Sequence, residues 1–161
     1  MNVITVACAQ QRMQLCEEAA EYRQEVLRFV RMAKSQGAQL IVFPELSGLM
    51  LASLFLPGLK RGLLRRAGQG RQATGLGRLV RRVAGTAAGA LGGGLQGSLP
   101  RLLEKHGHEL ETIYRELFSE VARQYEIAIL AGSCYLPDSF SDEVRHRTFL
   151  FASDGSLLGQ R

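Results

Sequence analysis

The sequence predicts an α/β fold, because short apolar strands alternate with amphipathic helices along the chain. Residues 3–9 and 40–43 are runs of apolar and β-branched residues that are typical of buried strands. Between them, apolar residues recur at helical spacing from 17 to 35, and Gly37 is well placed to end that helix in a left-handed conformation. A strand, a helix and a second strand in this order indicate a parallel pair joined by a right-handed crossover.

The second half of the chain continues the alternation of helix and strand. Apolar residues at helical spacing predict a helix from about residue 100 to Gln124. The predicted elements that follow are a buried strand at Ile127–Ala131, a polar loop at 136–145, a strand at Thr148–Ala152, a hairpin turn at 153–156 and a return strand from Leu157. Composition agrees with one soluble globular core, since 46% of the residues are hydrophobic and 22% are charged.

Glu45 is the candidate catalytic residue, because it follows a strand that must leave the sheet. Pro44 has no N–H and cannot continue a ladder, so Glu45 lies where the strand 40–43 opens onto the carboxyl edge of the sheet. Open α/β sheets bind their ligands at that edge. A desolvated carboxylate gains proton affinity, which suits general-base catalysis. The alternative is that Glu45 begins a surface loop and lies in water.

Two further features near this edge have alternative interpretations. The apolar segment 46–56 could line the mouth of a pocket or form a short buried helix. Cys134 follows the predicted strand 127–131, at the same edge as Glu45 if the strands are parallel, and is therefore a candidate nucleophile. No histidine or lysine is evidently placed to lower the pKa of the Cys134 thiol, which argues against that role.

The remaining cysteines and the histidines indicate no metal site. Cys8 is interpreted as a small core residue within the first strand. His106 and His108 flank a glycine and have no third ligand in view, so no metal is predicted. Three cysteines without metal spacing, no secretory signal and no apolar run near ~20 residues indicate a cytoplasmic protein without a spanning helix.

The positive charge is concentrated in one segment. From Leu46 to Leu103 there are nine basic residues and no acidic residue, whereas the rest of the chain has 11 basic and 15 acidic residues. Glycines recur every four residues from Gly85 to Gly97, the small-residue spacing of close helix pairs. Basic residues between leucines suit an anionic membrane surface, and a poorly ordered loop is the alternative. The expected membrane contacts are Lys60, Arg61, Arg65, Arg66, Arg78, Arg81 and Arg82. No aromatic residue lies between Leu56 and Leu103, so no single-stranded nucleic-acid partner is expected.

The order of the motifs resembles the nitrilase, or carbon–nitrogen hydrolase, superfamily. The resemblance is carried by Ala-Cys-Ala-Gln at 7–10, Gly-Ala-Gln-Leu-Ile-Val-Phe-Pro-Glu-Leu at 37–46, Ile-Ala-Ile-Leu-Ala-Gly-Ser at 127–133 and Phe-Ala-Ser-Asp-Gly-Ser-Leu-Leu-Gly at 151–159. It implies a nitrilase-like α-β-β-α sandwich that is incomplete and leaves sheet edges and a hydrophobic face uncovered. The expected domains are 1–57 as the N-terminal part of the hydrolase domain, 58–100 as a basic glycine-rich insert, and 101–161 as the truncated continuation.

The resemblance also implies a chemistry in which a glutamate is the general base, a lysine stabilises the tetrahedral intermediate and a cysteine is the nucleophile. Glu45 matches the glutamate. The lysine is expected just after Arg161, and none of the three cysteines matches the nucleophile's motif. One departure is Arg147, where the family often has asparagine. We therefore expect this chain to be the N-terminal part of a hydrolase of small amides or nitriles, and to be inactive by itself. The hydrolase is expected to need no cofactor and to self-associate. The alternative is a non-enzymatic module that docks on anionic membrane.

Overall fold

Five strands form one sheet in which sequence order and spatial order are the same. The structure, a computed structural model, describes residues 3–12, 16, 18–55, 99–137 and 144–161. Its elements are β1 (Val6–Cys8), α1 (Ala19–Ser35), β2 (Leu40–Val42), α2 (Leu49–Ala52), a 3-10 turn (Ser53–Phe55), α3 (Leu99–Tyr125), β3 (Ala128–Pro137), β4 (Val144–Phe151) and β5 (Leu157–Gln160). The pairs β1–β2 and β2–β3 are parallel, and β3–β4 and β4–β5 are antiparallel. The predicted insert lies, up to residue 98, outside the described residues.

The first strand–helix–strand unit is confirmed. Helix α1 buries Tyr22, Val26 and Val30, which recur every four residues on one face. Gly37 follows the helix at φ +75°, a conformation that side chains rarely adopt, and its N–H donates to Lys34 O at 3.0 Å. The chain therefore turns directly into β2, which pairs with β1 in parallel.

Helix α3 packs on the same face of the sheet as α1. Its buried residues are Leu110, Tyr114, Leu117, Phe118, Val121 and Ala122. The Phe118 ring lies 5.3 Å from the Phe43 ring, between centroids, and 6.5 Å from that of Phe151. Burial of a phenylalanine of this kind contributes about 2–3 kcal/mol to folding. The core thus lies between two helices and one face of the sheet.

The opposite face of the sheet is not covered by any described residue, which corrects two expectations. Residues 3–9 were expected to form a buried strand, but Val3 is 85% exposed and Val6 is 46% exposed. Cys8 is exposed as well, rather than a core residue. The reason is that β1 is an edge strand whose side chains alternate between the helix-covered face and the open face.

Strands β3 and β4 are longer than the sequence predicts, because a bulge changes the phase of the side-chain pattern. The register of β3 against β4 shifts between Ala131 and Cys134. Ile129 and Ala131 face the core before the bulge, and Cys134 and Leu136 face it afterwards. The predicted loop 136–145 is wrong at both ends, since it cuts into strands that run from Ala128 to Pro137 and from Val144 to Phe151.

The hairpin turn after β4 is confirmed. The Asp154 carboxylate accepts hydrogen bonds from the backbone N–H of Ser156 at 2.8 Å and from its hydroxyl at 2.6 Å. Gly155 has φ +85°, which only glycine adopts readily. The turn therefore forms from local chemistry that is visible in the sequence.

Candidate functional site

Glu45 lies in the loop that leaves β2 at the carboxyl end of the strand. Just after the strand, the Phe43 N–H donates a hydrogen bond to Leu130 O of β3 at 2.9 Å. Beyond Pro44 the loop turns, and the Glu45 side chain is 76% exposed. The desolvation expected from the sequence is therefore absent, and the alternative, a glutamate in a solvated loop, describes its surroundings.

The loop is held by the bulge in the neighbouring strand. Ser133 Oγ accepts a hydrogen bond from the Leu46 N–H at 2.9 Å, and Ser133 O accepts one from the Gly48 N–H at 3.1 Å. Leu46 itself has φ +61°, an uncommon conformation for a residue with a side chain. A strained residue persists only where the surroundings fix it. The backbone on either side of Glu45 is consequently positioned although its side chain is solvated.

Two glycines let the loop approach the bulge closely. A Cβ at Gly132 would overlap the carbonyl oxygen of Pro44 and the hydroxyl of Ser47. A Cβ at Gly48 would overlap the Cys134 side chain. The absence of a side chain at each position is thus what allows the Glu45 loop to lie directly on β3.

Buried hydroxyl groups support the loop from the core side. Ser47 is fully buried, and its Oγ lies 3.5 Å from the hydroxyl oxygen of Tyr114. The Tyr114 hydroxyl also donates to Gly132 O. Burial raises the pKa of Tyr114 well above its usual value, and the same cause raises that of Tyr22. Both phenols stay protonated; that of Tyr114 serves as a hydrogen-bonding group, whereas the buried Tyr22 hydroxyl has no hydrogen-bond partner among the described residues.

Cys134 is not placed as a nucleophile. It lies inside β3 rather than at its end and is 1% exposed. Burial raises the pKa of its thiol to about 12, although a hydrogen bond to the backbone of Tyr135 acts in the opposite direction. A thiol with such a pKa is almost entirely protonated near neutrality and is a poor nucleophile. The alternative role considered for Cys134 is therefore disfavoured.

His146 is the side chain near Glu45 that sequence reasoning missed. Its Nδ1 lies 3.7 Å from Glu45 Oε1, and its ring centroid lies 5.1 Å from that of Tyr135. His146 was assigned no role because the sequence places it just after a predicted loop. The pairing of Tyr135 with His146 in the β3–β4 ladder, which the bulge determines, brings it to this edge.

Gln11 follows β1 at the position that corresponds to Glu45 after β2. The register pairs Cys8 with Val42, so Gln11 and Glu45 each lie three residues beyond a paired position. Both polar atoms of the Gln11 carboxamide are buried and have no hydrogen-bond partner within the described part of the chain. An amide group is therefore available at the carboxyl end of the neighbouring strand.

Arg147, which departs from the family pattern, is neutralised within the fold. Its Nη1 lies 2.9 Å from Glu111 Oε2, and the two side chains are 12% and 13% exposed. Its Nη2 donates to Gln160 Oε1 at 2.6 Å, and Nη1 lies 3.4 Å from Pro137 O. The guanidinium thus joins α3, β5 and the end of β3, and its charge is matched by Glu111.

A groove of about 590 Å³ lies between α3 and the β4–β5 hairpin. Its lining residues are His108, Glu111, Thr112, Arg115, Glu116, Ser119, Phe151, Gly155 and Leu157. None of them belongs to the Glu45 loop, so this groove is not the candidate site. Among the described residues there is no group of three or more His, Cys, Asp or Glu that could hold a metal ion, and none of the described helices is long and apolar enough to cross a membrane.

Comparison with solved structures identifies the fold. A variant of the amidase from Nesterenkonia sp. AN1, with acrylamide added at its active-site cysteine, has a TM-score of 0.52 and 14% identity to this chain, over 98% of this chain and 43% of that one. Saccharomyces cerevisiae Nit3, a member of branch 10 of the nitrilase superfamily, gives a TM-score of 0.52 at 14% identity, over 98% and 43%. The carbon–nitrogen hydrolase from Helicobacter pylori G27 gives 0.51 at 13%, over 98% and 38%.

By sequence, no family model and no curated protein matches the chain. The chain spans about two fifths of the length of the solved structures that it resembles. The resemblance stated from the motifs is confirmed at the level of the fold, and the coverage is that expected of an N-terminal part. This chain has the α/β fold of the nitrilase-superfamily amidases and carbon–nitrogen hydrolases, over about two fifths of their length.

Proposed function

We propose that this chain supplies Glu45 as the general base for hydrolysis of a carbon–nitrogen bond in a small amide or nitrile. The observation that carries the proposal is the position of Glu45, at the carboxyl end of β2 in a loop tied to the β3 bulge. The shared fold with amidases supports it. The lysine and the cysteine nucleophile of the reaction would come from sequence other than these 161 residues.

In this reaction the Glu45 carboxylate accepts the proton of the nucleophilic thiol as the thiolate attacks the substrate carbon. With an amide, the tetrahedral intermediate then expels ammonia, which takes the proton back from Glu45, and leaves a thioester. With a nitrile, the attack gives a thioimidate, which must add one water molecule before it loses ammonia to give the same thioester. A water molecule hydrolyses the thioester, and Glu45 accepts a proton from that water as it attacks. The part of this chain is to hold one carboxylate at the reacting centre through both proton transfers.

The buried cysteines of the chain are unsuited to be the nucleophile. Burial and, less strongly, the negative charges of Glu21 and Glu25 together raise the pKa of Cys16 to about 11. Cys134 is buried and has a pKa of about 12. Cys8 lies on the open face of the sheet and has no part in the Glu45 loop. The mechanism therefore needs a cysteine that these residues do not provide.

The test is ammonia release from a panel of small amides and nitriles by the longest protein that the reading frame encodes. Glu45→Gln should lower kcat about 10²–10⁴-fold, because the nearly isosteric amide cannot accept the proton. The matched control is Glu116→Gln, an exposed glutamate on α3 that should leave kcat unchanged. Near wild-type kcat in Glu45→Gln, or no turnover by the intact protein, would overturn the proposal.

A second candidate function rests on the charge distribution of the sequence. Nine basic residues lie from Leu46 to Leu103 without an acidic residue. Most of them lie outside the described residues, so the proposal rests on their charge alone. We propose that the segment binds anionic membrane reversibly. This binding would be either a peripheral contact of a hydrolase or the function of a non-enzymatic module. Self-association, expected from the family resemblance, stays a prediction.

A further inference from the structure

We infer that His146 is a positioning residue for Glu45, and that its Nδ1–H donates to Glu45 Oε1. The catalytic half of this inference rests on the proposed function, whereas the contact itself does not. Nδ1 and Oε1 are 3.7 Å apart. Contacts of catalytic groups are often long before substrate binds and tighten in the complex. A small rotation of the exposed carboxylate brings the pair into hydrogen-bonding distance.

The imidazole is the more firmly held member of the pair. The His146 side chain is 34% exposed, against 76% for Glu45. Its ring packs on Tyr135, the residue opposite it in the β3–β4 ladder, at 5.1 Å between centroids and 37° between planes. The ring of His146 is restrained by packing within the β3–β4 ladder, whereas the exposed Glu45 side chain extends from a loop. His146 can therefore limit the orientations of the carboxylate.

This contact assigns different roles to the two carboxylate oxygens. With Oε1 engaged by Nδ1–H, Oε2 is left to accept the proton of the incoming thiol. A solvated glutamate otherwise has many orientations, and the entropy cost of ordering it would recur at each turnover. The contact also selects one imidazole tautomer, because a neutral ring has a single N–H and the other nitrogen is then an acceptor.

The tautomer is a direct test that needs no turnover. In the 161-residue chain with ¹⁵N-labelled histidine, we expect the neutral His146 ring to carry its proton on Nδ1. Glu45→Ala removes the acceptor and should shift His146 toward the Nε2–H form that predominates in water. His108 is the internal control and should not change. An unchanged His146 tautomer in Glu45→Ala would overturn the inference.

Activity of the longest encoded protein supplies the second test. His146→Phe keeps a ring against Tyr135 but removes the donor, and should lower kcat about 3- to 10-fold with KM unchanged, as expected for an exposed hydrogen bond to a charged group. His146→Asn retains an N–H near the Nδ1 position and should recover most of the loss. His108→Asn is the control.

The outcomes separate the two proposals. If Glu45→Gln abolishes turnover while His146→Phe is silent, the positioning role is wrong and the function stands. If Glu45→Gln is silent, the function is wrong, and the tautomer measurement alone decides the contact. A loss in His146→Asn without a loss in His146→Phe would assign the effect to ring packing and overturn the donor role.

Discussion

The hydroxyl of Ser133 accepts a hydrogen bond from the backbone N–H of Leu46 at 2.9 Å, across 87 residues of sequence. This bond joins the bulge of β3 to the loop that carries Glu45. Ser133 is 8% exposed, so the N–H would find little water to replace the hydroxyl. The position of the candidate base thus depends on a residue in a different strand.

Ser133→Ala should destabilise the protein by about 1–2 kcal/mol, because the Leu46 N–H is left without its acceptor in a partly buried position. The midpoint of urea unfolding measures the change. Ser35→Ala is the matched control, since that exposed hydroxyl donates to Met32 O of its own helix and its loss should cost little. Equal midpoints for the Ser133→Ala variant and the wild type would contradict the role of the bond.

Gly132→Ala should cost about 1–3 kcal/mol of stability, because the added Cβ would force Pro44 and Ser47 away from the bulge. The comparison is Gly159→Ala, where no atom lies within 4 Å of the added Cβ. Thermal unfolding of both variants measures the difference. A similar melting temperature for the two variants would mean that the loop does not pack on β3 as described.

The thiols should react with Ellman's reagent at very different rates. Cys8 is exposed and should react first, whereas Cys16 and Cys134 are buried. Burial raises the pKa of Cys134 from 9.0 to about 12, so its thiolate is scarce near pH 8. One fast thiol per native chain, lost in Cys8→Ser, and three in urea are expected; two fast native thiols would contradict the burial of Cys134.

The same raised pKa makes stability depend on pH at the alkaline end. Between about pH 9 and 12 the unfolded Cys134 releases its proton while the folded one retains it. Stability from this group is fully present below pH ~9 and is lost as the pH rises, by at most about 1.4 kcal/mol per pH unit. Cys134→Ser should flatten the decline measured by urea unfolding. An unchanged slope would exclude Cys134 as its cause.

The 161-residue chain by itself should hydrolyse no amide or nitrile, because a general base without its nucleophile forms no thioester. Ammonia release over the substrate panel measures this, with the Glu45→Ala chain as the blank. Turnover above that blank would require a nucleophile among Cys8, Cys16 and Cys134, and single serine substitutions would identify it.

Deletion of residues 60–98 should abolish binding to anionic vesicles. Each basic residue near such a surface contributes about 1 kcal/mol, so a few of the eight that the deletion removes suffice for weak binding. Co-sedimentation should weaken with salt, because the Debye length falls from about 10 Å at 0.1 M to about 3 Å at 1 M. Equal sedimentation of both proteins, or binding to neutral vesicles, would contradict the membrane proposal.

The sequence by itself determined the features that depend on neighbouring residues. Gly37 ends α1 and Pro44 ends the second strand through their own backbone chemistry, and Asp154 forms its turn with Ser156. These local signals place Glu45 at the end of a strand. They do so before any pairing between strands is known.

Only the tertiary structure decided what surrounds Glu45. The bulge before Cys134 shifts the side-chain pattern by one residue, which hid the second half of β3 and placed a buried thiol where a strand end was expected. The approach of His146 and the hydrogen bond that the Leu46 N–H donates to Ser133 follow from that shifted register. Register is set by the partner strand, and the exposure of Cys8 by what covers a sheet face. Register and exposure both depend on contacts between distant parts of the chain, and local periodicity does not predict such contacts.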